Sequence, residues 1–337
     1  MMNKLTKLGV SALCGSLASV SAANAGDLTV AGTVDMSWIS MDDSITGNPI
    51  GIGSNYTLSG SGELDNGWSV ALSIAMLNKN QYSATNVTVG IPALGDFRIS
   101  QGTTGAGIDR MDDVTPNVWE EAYSTGMSNG MQTVTGATAG ANIEWTPNMM
   151  PDGLTARVVY SPDVSGATSN DKAFSGQAVN QGSGYDLTLV ATDAVTGMSG
   201  LTIGAGMANV TQEGGTNVNG DKEARTMYAT YAVGGFTVGY QWSEHDLGTS
   251  ASEQEYTNDG YGITFAINDD LSVGYNYYES EQTSTTNVTN EAESYQIAYS
   301  MGGASIRLAE GRSDNQDYQT GAAYDKDNTV LSISLAF

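Results

Sequence analysis

Five carboxylates and one guanidinium crowd a single stretch of this 337-residue chain: Asp109, Asp112, Asp113, Glu120 and Glu121, with Arg110 among them, between Gly102 and Gly140. Carboxylates so placed do one of two things: they hold a proton beside a reacting bond, or they set up a negative field that ions feel. Acid–base or nucleophilic catalysis would need a base beside a nucleophile. The one histidine, His245, follows Trp242 and Ser243 and reads as a solvated loop residue. No paired-histidine metal motif, phosphate-binding glycine loop or G-x-S-x-G elbow occurs, so no catalytic residue, metal ligand set or tightly held cofactor is expected. The field remains. A stretch this long without a domain of its own is functional or disordered; bent into a channel, its acids would line the narrowest part, and otherwise they decorate a solvated exterior loop.

Three further arginines bear on the choice. Arg98 lies between Phe97 and Ile99, Arg157 between Ala156 and Val158, and Arg307 between Ile306 and Leu308. On an extended chain, alternate residues face opposite ways, so each arginine points away from its greasy neighbours. An apolar face turned to lipid and a charged face turned to a watery lumen satisfy both, because charge on the lipid side costs about 2–4 kcal/mol near the midplane. By the same phase Asp35, Glu63, Glu144 and Asp186 face the lumen, as field-setting groups or as ordinary hydrated wall residues.

The elements that would position these groups are strands. No apolar run after Ala25 approaches the roughly 18 residues of a membrane helix. What recurs is an alternating segment, a tight turn, a second alternating segment and a polar loop. Asp27 to Ile39 opens the series; Asp65-Asn66-Gly67 marks a hairpin into Trp68, Val70, Leu72, Ile74 and Met76. Turns follow at Pro92 to Gly95, Pro147 to Gly153, Thr192 to Gly200, Gly234-Gly235, Asn268 to Asp270 and Gly302-Gly303. Asn328 to Phe337 closes it, with Leu331, Ile333, Leu335 and Phe337 on one face and Val330, Ser332, Ser334 and Ala336 on the other. The tally is about sixteen strands, tight turns at one end and long loops at the other, as a transmembrane antiparallel barrel requires. Forty-two glycines against six prolines suit coiled sheet with many turns.

Residues 1–25 read as a secretory leader: Lys4 and Lys7, an apolar run from Leu8 to Val20, and Ala23-Asn24-Ala25 before cleavage. The only cysteine, Cys14, leaves with it, and Leu13 before it speaks against a lipoprotein site, so residues 26–337 hold no thiol. With 37 acidic against 12 basic residues and a formal charge of -25, nucleic acid is excluded as a partner.

In the order of leader, first strand D-L-T-V-A-G-T-V-D-M, hairpin D-N-G-W, long third loop and terminal S-L-A-F, the chain resembles the Gram-negative general porins of the trimeric, sixteen-stranded type. The resemblance spans residues 26–337. It implies a water-filled pore per protomer, a third loop folded into the lumen as a constriction, wall arginines opposing that loop, a homotrimer in outer-membrane lipid and lipopolysaccharide, and passage of ions and small polar solutes. Carried over, the acidic constriction is Asp109, Asp112, Asp113, Glu120 and Glu121, the basic wall Arg98, Arg157 and Arg307, and Phe337 the closing residue that assembly machinery reads. Arg98 fits best because it directly precedes the loop. One departure stands out: the first four strands hold no lysine or arginine, which tips the expectation toward cation preference. Acidic loops such as Asp42-Asp43, Glu253 to Glu255 and Glu279 to Glu281 suggest weakly held divalent cations, without any calcium-loop spacing. The rivals are a barrel hydrolase, a substrate-specific channel and an acidic extracellular adhesin built of soluble β domains.

Overall fold

The computed structural model describes residues 28–41, 48–78, 81–101, 105–126, 128–138, 140–164, 182–212, 218–249, 255–283 and 286–336. The expected leader, Asp42-Asp43, Glu253 and Phe337 lie outside them. Sixteen strands follow in order: β1 Thr29–Met41, β2 Ile50–Glu63, β3 Ser69–Leu77, β4 Gln81–Ile91, β5 Gly95–Gln101, β6 Asn142–Thr146, β7 Leu154–Ser161, β8 Gly184–Ala191, β9 Leu201–Val210, β10 Lys222–Val233, β11 Phe236–Asp246, β12 Glu255–Ala266, β13 Leu271–Thr283, β14 Val288–Met301, β15 Ala304–Asp314 and β16 Lys326–Ala336. Each pairs antiparallel with its neighbours, and β1 pairs with β16 from Thr33–Ala336 to Met41–Asn328, so the sheet closes on itself. Closure leaves no unpaired edge, which is what lets strands stand in hydrocarbon.

Side-chain alternation decides which face is which. On β16 Leu331 is 40% exposed while Val330 is 1% and Ser332 2%. Ile306, Leu308, Ile297, Ile263, Val238, Ile203 and Leu187 share the outward phase of their strands with Leu331 and are as exposed. Such a continuous apolar exterior is untenable in water and natural in a bilayer. Aromatic rings bound it. Near the turns Phe97 stacks on Trp145 and Phe236 on Phe265; further along the strands Tyr240 meets Tyr261 and Tyr275 meets Tyr295. Beyond the tyrosines the outward phase turns acidic at Asp259, Glu279, Glu291 and Glu293, and the Tyr277 hydroxyl donates to Glu291 at 3.0 Å. There the hydrocarbon layer ends.

The turn-side connections sit where expected, and Asp193–Thr196 adds one helical turn between β8 and β9. The loop side departs from a strict long-loop rule twice: only residues 78–80 join β3 to β4, and 284–287 join β13 to β14. A barrel rim needs no minimum loop length, since an antiparallel pair closes with a tight turn at either end.

Candidate functional site

Residues 105–138, between β5 and β6, run along the inward face of much of the barrel. The segment begins where Arg98 donates from Nη1 to the Gly105 carbonyl at 3.0 Å. A short 3-10 helix, Gly107–Met111, then lodges against β8 and β9. Gly107 has φ +51, and a Cβ there would strike the Asp186 carboxylate, so only glycine fits without strain. Asp186, fully buried on β8, accepts the Ile108 N–H at 3.1 Å and the Ala137 N–H at 2.8 Å, tying both ends of the segment to one side chain. Asp109 completes the tie, accepting the Gly136 N–H at 2.7 Å and the Thr138 hydroxyl.

From there a series of inward amides takes over. Gln241 on β11 donates to the Met111 carbonyl. Asn258 on β12 donates to the Gln132 carbonyl at 3.0 Å. On β13 Asn276 accepts the Ala122 N–H at 2.8 Å and donates to the Pro116 carbonyl at 3.3 Å. Gln296 on β14 accepts three successive N–H groups, of Val118, Trp119 and Glu120, at 3.2, 3.0 and 3.4 Å, and donates to the Glu120 carbonyl. Asn290 donates to the Asn129 carbonyl and Asn328 on β16 to that of Thr125, both at 2.8 Å. A primary amide both donates and accepts, which suits it to an irregular backbone whose own groups have no ladder partner. Close approach also needs room. Gly262 supplies it, since a Cβ there would collide with the Pro116 carbonyl.

The five acids of the segment therefore separate. Asp109 (9% exposed) and Glu121 (6%) are buried in its attachment to the wall and do not line an opening, because their oxygens accept hydrogen bonds from the segment itself. Asp112, Asp113 and Glu120 stay on its accessible side. Burial, then the neighbouring charges of Asp113 and Asp109, push the Asp112 carboxyl up to about 7. Burial first, with Glu120 beside it, pushes Glu121 up to about 8.

The arginines separate too. Arg98 stands 3.9 Å from Glu144 and holds the root of the segment rather than facing its acids. Arg110 grips Glu144 with both Nε and Nη2, at 3.3 and 2.6 Å. Arg307 reaches across β16 to Asp35 at 2.7 Å and lies 5.4 Å from the centre of the Trp119 ring. Arg157 faces inward from β7, half-buried, near Arg110 and Glu144. Glu144 and Asp186, expected as field-setting or hydrated wall acids, are instead buried anchors of the segment. His245 is no solvated loop residue: it is 5% exposed, inward on β11, with Nε2 3.4 Å from the Thr135 hydroxyl. The amide series escaped the sequence reading altogether, although at least one Asn or Gln per strand in the inward phase of β11 to β14 and β16, with two each on β13 and β14, was its visible trace.

The sequence signature of the family described as Gram-negative porin matches residues 9–325. The chain belongs to that family. Solved structures agree in fold. The porin is similar to OmpF of Salmonella typhi in a complex with daunomycin (12% identity, 93% of this chain and 98% of that one, TM-score 0.69). An anion-selective porin from Comamonas acidovorans follows (14%, 93% and 100%, 0.67), and the trimer form of OmpT, an outer membrane protein of Vibrio cholerae (12%, 93% and 99%, 0.64). No curated protein matches the sequence. Family membership and a closed sixteen-stranded barrel make this an outer-membrane porin.

Proposed function

We propose that this porin passes ions and small hydrophilic solutes by passive diffusion, with a preference for cations, and that residues 105–138 form its constriction. The observation that carries the reading is an asymmetry of burial. Inward side chains of β8 to β16, such as Asp186, Asn276, Ser294 and Val330, are covered by the segment or its neighbours, whereas Ser37, Thr57, Ser73 and Thr88 on β1 to β4 stay partly exposed. The open lumen then lies between the segment and a wall of β1 to β4 that carries Asp35 and Glu63 and no lysine or arginine. Asp112, Asp113 and Glu120 face that space, and Asp35 stands at its margin already engaged by Arg307. Arg98 and Arg110 are turned to Glu144, so the uncompensated charge at the opening is negative. Carboxylates beside low-dielectric walls draw in cations and repel anions.

A channel rather than an enzyme is what family and fold favour. Three copies side by side are supported by the trimeric relative, and the outward acids above the tyrosines suit divalent cations that bridge to lipopolysaccharide phosphates. A leader over residues 1–25 and a barrel domain over 26–337 complete the reading. Planar-bilayer conductance under a salt gradient tests it. Discrete steps with a reversal potential of cation sign are expected, and D112K/D113K should move that potential toward anions. Absent steps, an anion sign in the unaltered protein, or an indifferent double variant would overturn it.

A further inference from the structure

The inward face of β5 to β7 carries positive charge that the opening just described leaves unused. Glu144 stands at its centre. The register sets Arg98 of β5 directly opposite Glu144 on one side and Val159 of β7 opposite it on the other, with Arg157 two residues from Val159 in the same inward phase. Arg110 reaches in from the segment. Glu144 spends Oε1 on Arg110 at 2.6 Å, and Oε2 on Arg110 at 3.3 Å and the Gly107 N–H at 2.8 Å. One carboxylate, already occupied, is thus set among three guanidiniums.

Arg98 commits Nη1 to the Gly105 carbonyl. Arg157 commits nothing: among the described residues it makes no hydrogen bond and no ion pair, though it lies within electrostatic reach of Arg110 and Glu144. A guanidinium presents five donors in a rigid fork, and the like charge of Arg110 nearby makes its position costly unless an anion joins them. Its partial exposure faces the lumen from near the turn-side end of β7, clear of the Ser and Thr wall. The segment above it is pinned by Asp186, so the arginines cannot simply move apart.

We propose that Arg157, backed by Arg98 and Arg110, is a docking station for a small oxyanion group, phosphate or carboxylate, carried by a solute crossing the barrel. The station rests on the channel reading and refines its solute class: the pore prefers cations at its acidic edge and yet holds anionic groups at this corner. Fork-to-oxyanion pairing is bidentate and charge-assisted, so it produces residence rather than mere attraction.

The test adds inorganic phosphate or succinate, at constant ionic strength in KCl, to purified protein in a planar bilayer. Saturable reduction of the KCl current is expected from one or both; phosphate alone marks the station as phosphate-type, and both mark it as general for oxyanions. R157A should need about tenfold more anion for the same block, and R157K should fall between, since an ammonium cannot pair in bidentate fashion. R312A, altered on the outward face, should block like the unaltered protein. A current that follows ionic strength alone, or an R157A channel blocked as readily as the unaltered one, overturns the station. Absent conductance steps in plain KCl would sink the channel reading instead. In that event thermal stabilisation of the detergent-folded protein by phosphate, present with Arg157 and lost in R157A, upholds the station, and its absence overturns it.

Discussion

Asp112 and Glu121 show how position, rather than residue type, sets what an acid does. Both are carboxyls of one segment, yet Asp112 borders the accessible side while Glu121 accepts a hydrogen bond from Asn117 inside the attachment. Both are raised, so the folded protein holds their protons beyond the point where a free chain releases them. The sign follows: Glu121 contributes to docking fully below its ordinary 4.5, and that contribution is lost as pH rises through about 8. Asp112 runs the same way from 3.8 to about 7. A titration of reversal potential should therefore show cation preference growing between pH 6 and 8 as Asp112 ionises, followed by noisier current above pH 8 as Glu121 charges. D112N should flatten the first change. A potential independent of pH in the unaltered protein would remove Asp112 from the conduction path.

The amide series is where the barrel's elements act on the segment, and Gln296 is its most occupied member. Replacing it in Q296L leaves three N–H groups unpaired at nearly constant volume, a loss of about 2–3 kcal/mol in docking once partial rescue by water is allowed. Single-channel recording should find wider, less steady openings, while the barrel itself resists heat as before. Unchanged steps would mean that Asn276 and Asn328 suffice. Much of the element level was legible beforehand: alternation around Leu331, Ile306 and Tyr240 assigned both faces, because lipid admits nothing polar on one of them. The lumen imposes no such filter. There Asn258 under a docked backbone and Asn86 on an open wall are the same residue in the same phase, and only long-range contact separates them. His245 was misplaced for a related reason: β11 continues to Asp246, beyond the apolar residues by which a strand is recognised.

At the scale of the whole molecule, stability comes from an unbroken ring of pairing with its apolar side in lipid, and the charge of -25 stays off that side. I333R places a guanidinium on the lipid face of β16 and should cost about 2–4 kcal/mol, read as a smaller heat-resistant fraction on a gel. S59R, facing the open wall of β2, should leave that fraction intact and shift reversal potential toward anions. Equal damage from both would contradict the assignment of faces. The ring is also unevenly supported. Residues 105–138 are hydrogen-bonded to β8 and to β11 through β14 and β16, and no hydrogen bond among the described residues joins them to β1, β2, β3 or β4. One flank is thus buttressed and the other is a bare wall one sheet thick. Warmth or denaturant should find the bare flank first, and deuterium should enter the backbone amides of β2 and β3 well before those of β12 and β13. The cylinder then has a hinge side and a keel, and it would breathe by flexing where nothing stands behind the staves.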